Sequence, residues 1–275
     1  MSDIIEKTIK QAFEEDIATG DVTTLATIPE SQVATAEFLA KDSGVIAGLD
    51  ITQKIFELLN PKIIFEAFVT NGTWVDKGKI IAKVSGPAGS ILTAERTALN
   101  FLQRMSGIAT ATKKYVDAVA GTKAIILDTR KTVPGLRIFD KMAVAQGGGQ
   151  NHRIGLFDMF LIKDNHIAAA GSITKAITTC KSANKNNIKI EVEVKNFDEL
   201  REALSLSPDR IMLDNMTLDQ MAEAVKIVNG AISLEASGGV NLDTVKDIAS
   251  TGVDYISVGA LTHSVKAFDI SLNIV

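Results

Sequence analysis

In the stretch ILDTRKTVPGLR, from Ile126 to Arg137, three cationic side chains, Arg130, Lys131 and Arg137, follow an apolar run. The same connection carries Lys141 and runs on into AQGGGQNHRIGLFD, where three glycines precede His152 and Arg153. Later segments add Lys163 and His166 in LIKDNH, Glu191 and Glu193 in EVEV, and Asp214 at the end of RIMLD. Arginine forks grip carboxylates or phosphates in bidentate fashion, and lysine adds a point charge. Lys163 can form a Schiff base or stay charged and bind an anion; the acidic segments around it favour the charged form. Glu193 and Asp214 suit ribose hydroxyls or Mg²⁺, a hard cation that prefers carboxylate and phosphate oxygens. EASGGV and SVGALTHS end in small residues, as tight turns or as a phosphate cradle of backbone amides. A phosphate end, an acidic middle and a basic end suit a phosphorylated sugar beside a polycarboxylate.

These residues need elements that bring them together. Six apolar runs recur: AIILD (124–128), DMFLIK (158–163), KIEVEV (189–194), RIMLD (210–214), ISLEA (232–236) and DYISV (254–258). Helical patterns lie between them at Ser172–Lys185, Phe197–Leu204, Leu218–Val228 and Leu242–Ser250. Repeated βα units predict a parallel sheet, either doubly wound or closed as a barrel, although six units fall short of the usual eight. No GxGxxG follows the first run and no GxxxxGKS occurs, which removes support for a nucleotide-binding open sheet. Alternate residues of a strand face opposite ways. One parity is apolar throughout, from Ile125 and Leu127 in the first run to Ile256 and Val258 in the last. The other carries Asp128 and Arg130; Leu161 and Lys163; Glu191 and Glu193; Met212 and Asp214; Ser233, Glu235 and Ser237; Tyr255, Ser257 and Gly259. Solvent-frayed strand ends account for charge on one or two runs, not on a single parity in five. The pattern predicts a charged cavity at the strand C-termini, where βα folds build their ligand sites.

The chain before this repeat reads differently. Val33–Ala40 and Ile63–Val69 alternate, Asn71-Gly72, Lys77-Gly78 and Gly86-Pro87 mark hairpin turns, and Thr93–Val119 holds helical spacing without proline. The boundary is set at 1–108 for an N-terminal mixed α/β sandwich and 109–275 for the α/β barrel. A formal charge of −4 argues against a nucleic-acid protein, so the basic cluster is local and fits a small anion. The single cysteine, Cys180, excludes an internal disulfide and fits a reducing compartment. No run is long and apolar enough for a membrane span, and MSDIIEKTIKQAFEED has acids where a signal peptide has an apolar core, so a cytoplasmic protein is expected.

Taken together, EDIATGDVTT, ERTALNFLQRMSGIAT, DTRKTVPGLR, GGGQNHRIGLFD, IKDNHI, EVEV, LDN, EASGG and GVDYISVGALTHS resemble the quinolinate phosphoribosyltransferase family, with the motifs in order. The resemblance implies an incomplete six-unit barrel behind an α/β domain and a homodimer in which Arg96 of one subunit enters the other's site. It further implies that Arg130, His152, Arg153 and Lys163 surround quinolinate, with Thr129 among the substrate-binding residues. Lys131, Glu193 and Asp214 would act on phosphoribosyl pyrophosphate with Mg²⁺ held by the two acids. Ser237, Gly238, Gly239, Gly259 and Ala260 would take the 5′-phosphate. Two rivals remain at this stage: a molybdenum-associated homologue of the same fold, and a lyase using Lys163.

Overall fold

In the computed structural model, which describes residues 2–275, helices α1 (Ser2–Ile17) and α2 (Val22–Thr27) open the chain. Asp21 caps α2, its carboxylate accepting from the Thr24 amide at 3.0 Å. Period-two burial makes strand β1 (Val33–Ala40), with Ala36, Phe38 and Ala40 turned to the core. Then come β2 (Gly44–Val45), α3 (Leu49–Leu59), β3 (Ile64–Ala67), β4 (Trp74–Val75), β5 (Ile80–Pro87) and α4 (Ala88–Ala118). The chain continues through β6 (Ile125–Leu127), α5 (Arg137–Gln146), β7 (Phe160–Ile162), α6 (Asp164–Ala170) and α7 (Ile173–Ala183). It ends with β8 (Ile190–Val194), α8 (Phe197–Ser205), β9 (Arg210–Asp214), α9 (Leu218–Val228), β10 (Ser233–Ser237), α10 (Val245–Ser250), β11 (Tyr255–Ser257), α11 (Ala260–His263) and β12 (Ile270–Ile274). No described helix is long and apolar enough to cross a membrane.

Two compact units form. The first takes the chain up to Lys113 together with Thr132–Gly148 and Ser264–Val275; the second takes Lys114–Lys131 and Gly149–His263. The first unit is built on a sheet in the order β12-β1-β5-β3, all pairs antiparallel. The C-terminal strand thus covers the β1 edge, which would otherwise be left unpaired. Phe38, Phe56 and Phe65 meet over this sheet with ring centroids 5.9–6.3 Å apart. Helix α5 lies in this unit, bound to α4 by a two-point ion pair from Arg104 to the buried Asp140 at 2.8 and 2.9 Å. The glycine run after this helix begins with its C-cap, Gly147. A Cβ on Gly147 would come within 2.5 Å of the Ala109 carbonyl on α4.

The second unit is a six-stranded parallel sheet ordered β6-β11-β10-β9-β8-β7, so its βα repeats form an incomplete barrel with β6 and β7 at its ends. Register fixes which side chains share a face. Glu191 lies beside Arg210, Glu193 beside Met212, Glu235 beside Tyr255 and Ser237 beside Asp214, all on the polar parity expected from sequence. The first strand is the exception. Ile125 pairs with Tyr255 and Leu127 with Ser257, which puts these two on the polar-lined face, while Ile126 shares the outer face with Ile256. Three apolar residues in a row contain no alternation from which to phase a strand, and only the neighbour's register decides it.

Phe38→Ala in the first unit removes a fully buried ring and two aromatic contacts. It should destabilise the protein by about 3–5 kcal/mol in urea unfolding. A loss under about 1 kcal/mol would contradict the packing described.

Candidate active site

The C-terminal ends of the six strands surround a cavity of about 680 Å³. Thr129, Arg130, Lys131, His152, Arg153, Lys163, Glu193, Asp214, Ser237, Gly238, Gly239, Gly259 and Ala260 all line it; of these, Lys163, Glu193, Asp214, Ser237 and Gly259 stand on the polar parity of their strands. Arg96 does not: it is an exposed charge on α4 in the first unit. Arg137 and Lys141, from the same basic connection, also belong to the first unit, where Arg137 donates to Thr132 at 3.0 Å and Lys141 is buried on α5. The sequence treated that connection as one basic loop, whereas a helix divides it.

Each side chain is set by its strand end. The Lys131 carbonyl accepts from Thr262 at 2.9 Å, and a Cβ on Gly259 would crowd the Lys131 stem at 3.2 Å. Lys163 ends β7 and reaches Glu193 on β8, Nζ to Oε2 at 3.2 Å. With its side chain 45% exposed and ion-paired, Lys163 lacks the apolar enclosure a Schiff-base lysine needs. His166 does not face this cavity. Its Nδ1 accepts from the Lys163 amide at 3.0 Å, and it lines a separate apolar hollow of about 480 Å³ with Phe160, Ile162 and Cys180. Beyond β9 and β10 the chain turns tightly. Asn215 adopts a left-handed φ of 54° and donates from its side chain to Asp214 at 2.9 Å. Gly238, at φ 101°, can only be glycine, because a Cβ there would fall 2.2 Å from the Asn215 Oδ1.

Basic and acidic side chains both line the cavity. Burial and the adjacent Arg130 charge hold the Arg153 guanidinium below its ordinary pKa, with Asp158 and Glu191 opposing them. Two guanidiniums pressed together favour an anion between or above them. Beneath lies a group of ionisable side chains sealed from water. Glu191 and Glu235 are both 0% exposed. His152 Nε2 stands 3.0 Å from Glu191 and 3.5 Å from Glu235, and Arg210 Nη1 donates to Glu235 at 2.7 Å. Burial opposes charge on His152, but the hydrogen bonds to Glu191 and Glu235 outweigh it and raise its pKa to about 9. The Arg153 amide donates to Nδ1 at 2.8 Å, so charging the ring breaks one neutral hydrogen bond, worth about 1 kcal/mol. Two carboxylates return more than that in a site without water. Burial and the Glu235 charge raise Glu191 to about 7, with His152 and Arg210 pulling the other way. Glu235 is held below the ordinary carboxylate range: burial works against this, but His152, Ser257 and Arg210 outweigh it.

Sequence reasoning missed Arg210, which stands at the first position of its run and reads as a solvent-facing strand end. It missed His263 as well, which also lines the cavity. The signal for Arg210 was parity: it shares a face with Met212 and Asp214.

The comparisons with known proteins agree with this geometry. The model of the quinolinate phosphoribosyl transferase N-terminal domain matches residues 21–106, and that of the C-terminal domain matches residues 108–273. A mitochondrial quinolinate phosphoribosyltransferase [decarboxylating] 2b of Nicotiana tabacum is 49% identical over 98% of this chain and 82% of its own. A probable nicotinate-nucleotide pyrophosphorylase [carboxylating] of Bacillus subtilis is 43% identical, over 98% and 93%. Among solved structures, the nicotinate-nucleotide pyrophosphorylase of Francisella tularensis superposes with a TM-score of 0.96 at 42% identity, covering 100% of this chain and 97% of that one.

The raised His152 pKa has a measurable consequence. A group whose folded pKa lies near 9 and whose unfolded pKa lies near 6.5 contributes stability that is complete below pH 6.5 and lost as pH rises through 9. The melting temperature should therefore fall across this window, with a slope of at most about 1.4 kcal/mol per pH unit from this residue. Glu235→Gln should flatten the decline. Identical slopes in the two proteins would contradict the assignment.

Proposed function

The chain belongs to the quinolinate phosphoribosyltransferase family, and from that premise we propose how its cavity divides the work between two substrates. The reaction, a step of NAD biosynthesis, moves the phosphoribosyl group of phosphoribosyl pyrophosphate to quinolinate, releasing pyrophosphate and CO₂. The observation that carries the division is the order of the polar side chains around the strand ends. Lys163 follows β7 and pairs with Glu193 on β8, Asp214 ends β9, the small-residue turns follow β10 and β11, and Arg130 follows β6.

The two carboxylates of quinolinate meet Arg130, Arg153 and Lys163, with Thr129 and His152 beside them. Ser237, Gly238, Gly239, Gly259 and Ala260 take the 5′-phosphate through backbone amides, and Lys131 balances phosphate charge. Glu193 and Asp214 hold the ribose. They are also a hard-oxygen donor pair facing the cavity, a set that fits Mg²⁺. That ion, bound with the pyrophosphate, would supply neutralisation of the leaving group's charge. As the C1′–O bond breaks, its electron pair leaves with pyrophosphate and C1′ gains oxocarbenium character, which carboxylates near the ring stabilise. The pyridine nitrogen bonds to C1′. The resulting pyridinium accepts the electrons of the breaking bond to the 2-carboxylate, CO₂ departs, and the ring carbon takes a proton from solvent. Positioning and fixed charge carry these steps without a covalent enzyme intermediate.

Arg96 is exposed on α4, and we assign it to a second copy of the chain, entering that copy's cavity as a further carboxylate ligand in a homodimer. A reducing, cytoplasmic setting is our reading of the single cysteine.

Arg130→Ala should raise the quinolinate KM by about 10²-fold or abolish turnover with the melting temperature unchanged. Glu193→Gln should act mainly on the phosphoribosyl pyrophosphate KM and on kcat. Equal effects of both variants on both substrates would remove the division. Mixing Arg96→Ala and Lys163→Ala proteins should restore activity in heterodimers, because one of the two sites then carries neither lesion. No recovery in verified heterodimers would overturn the sharing.

A further inference from the structure

Under the cavity lies an ion pair that the ligand set leaves unused. Arg210 begins β9 on the inward parity, donates to Glu235 Oε2 at 2.7 Å, and lies 3.9 Å over the centroid of the Tyr255 ring. Ser257 donates to the other oxygen of Glu235. Glu235 and Glu191 together face His152 Nε2, at 3.5 and 3.0 Å. On the far side of the ring, the Arg153 amide donates to Nδ1 at 2.8 Å, and the His152 amide donates to the buried Asp128 at 2.8 Å. Both ring nitrogens are thus engaged below the cavity or by neighbouring backbone. What the imidazole presents upward is its carbon edge and face, and the direction of that face is set by the carboxylates.

We propose that Arg210 is a positioning residue for quinolinate binding, acting through Glu235 to fix the plane of His152 and the turn that aims Arg153 into the cavity. The proposal rests on the reading above that His152 and Arg153 hold this substrate. Charge makes Arg210 necessary. Glu191 and Glu235 have no exposure to water, and Glu191 depends on the His152 imidazole 3.0 Å away. Arg210 and the imidazole both face the two acids, and the Arg153 charge acts on Glu191 as well. Without the guanidinium, Glu235 is left with the imidazole and Ser257 and loses the charged donor that holds it in place. The planar fork also sits over Tyr255 while reaching Glu235, an arrangement that a lysine reproduces only in charge.

Arg210→Met should raise the quinolinate KM by about tenfold or more, the usual size for a residue that orients a ligand-binding side chain, while the phosphoribosyl pyrophosphate KM stays within about twofold. Arg210→Lys, which restores the charge, should recover part of the loss. If Arg210→Met does not fold, the Arg210→Met/Glu235→Gln double variant removes both charges together and should show the same selective rise. A rise in both KM values alike, a fall in kcat alone, or an unchanged quinolinate KM would overturn the proposal. His152→Ala is assayed in parallel. If it leaves the quinolinate KM unmoved, the reading of His152 fails. If it raises that KM and the Arg210 variants do not, only the present inference fails.

Discussion

A carboxylate shut away from water in a barrel costs several kcal/mol unless a cation or a set of donors meets it. Here two such groups, Glu191 and Glu235, lie beneath one cavity. Much of the second unit can be understood as the answer to them. The parallel register puts Arg210 next to Glu191 on one side and within reach of Glu235 on the other. Ser257 comes from the next strand, and His152 comes from the loop after α5 with Nε2 turned to the acids and Nδ1 held by the Arg153 amide. Satisfying the buried acids therefore also fixes the residues that face upward. Support and ligand site are two layers of one arrangement, and neither can shift without the other.

Above this floor, basic and acidic side chains share one cavity wall and meet where Lys163 pairs with Glu193. Arg130 and Arg153 repel each other, a repulsion that an anionic ligand relieves. Lys163 is answered by Glu193, which leaves the acidic side able to exchange one cation for another. A site with this polarity orders two anionic substrates by the sign and placement of their groups. Little rearrangement of the protein is needed at the moment of reaction.

Much of this was legible in the chain because the signal was repeated. Lys163, Glu193, Asp214 and Ser237 each sit on the same parity of a separate strand, and a pattern repeated from strand to strand is hard to mistake for frayed ends. The first strand was phased the wrong way because Ile125, Ile126 and Leu127 are all apolar, and the face is settled by pairing with Tyr255 and Ser257. Helix α5 was hidden by its own basic residues: Arg137 and Lys141 read as part of a charged loop, although Phe139, Ala143 and Val144 bury a helical face. Arg210 was passed over as the first residue of a run, a position where charge is ordinarily free of cost. The docking of β12 onto β1 depends on long-range pairing that no local period encodes.

The central claim is that one charged cavity joins a pyridine dicarboxylate to an activated ribose, with departure of both pyrophosphate and a carboxylate. The most direct measurement supplies carboxyl-labelled quinolinate, phosphoribosyl pyrophosphate and Mg²⁺ to the purified protein and counts both small products. The account predicts CO₂ and pyrophosphate in equal amounts, each absent when either substrate is withheld. Pyrophosphate without CO₂, or neither product from active, folded protein, would contradict it.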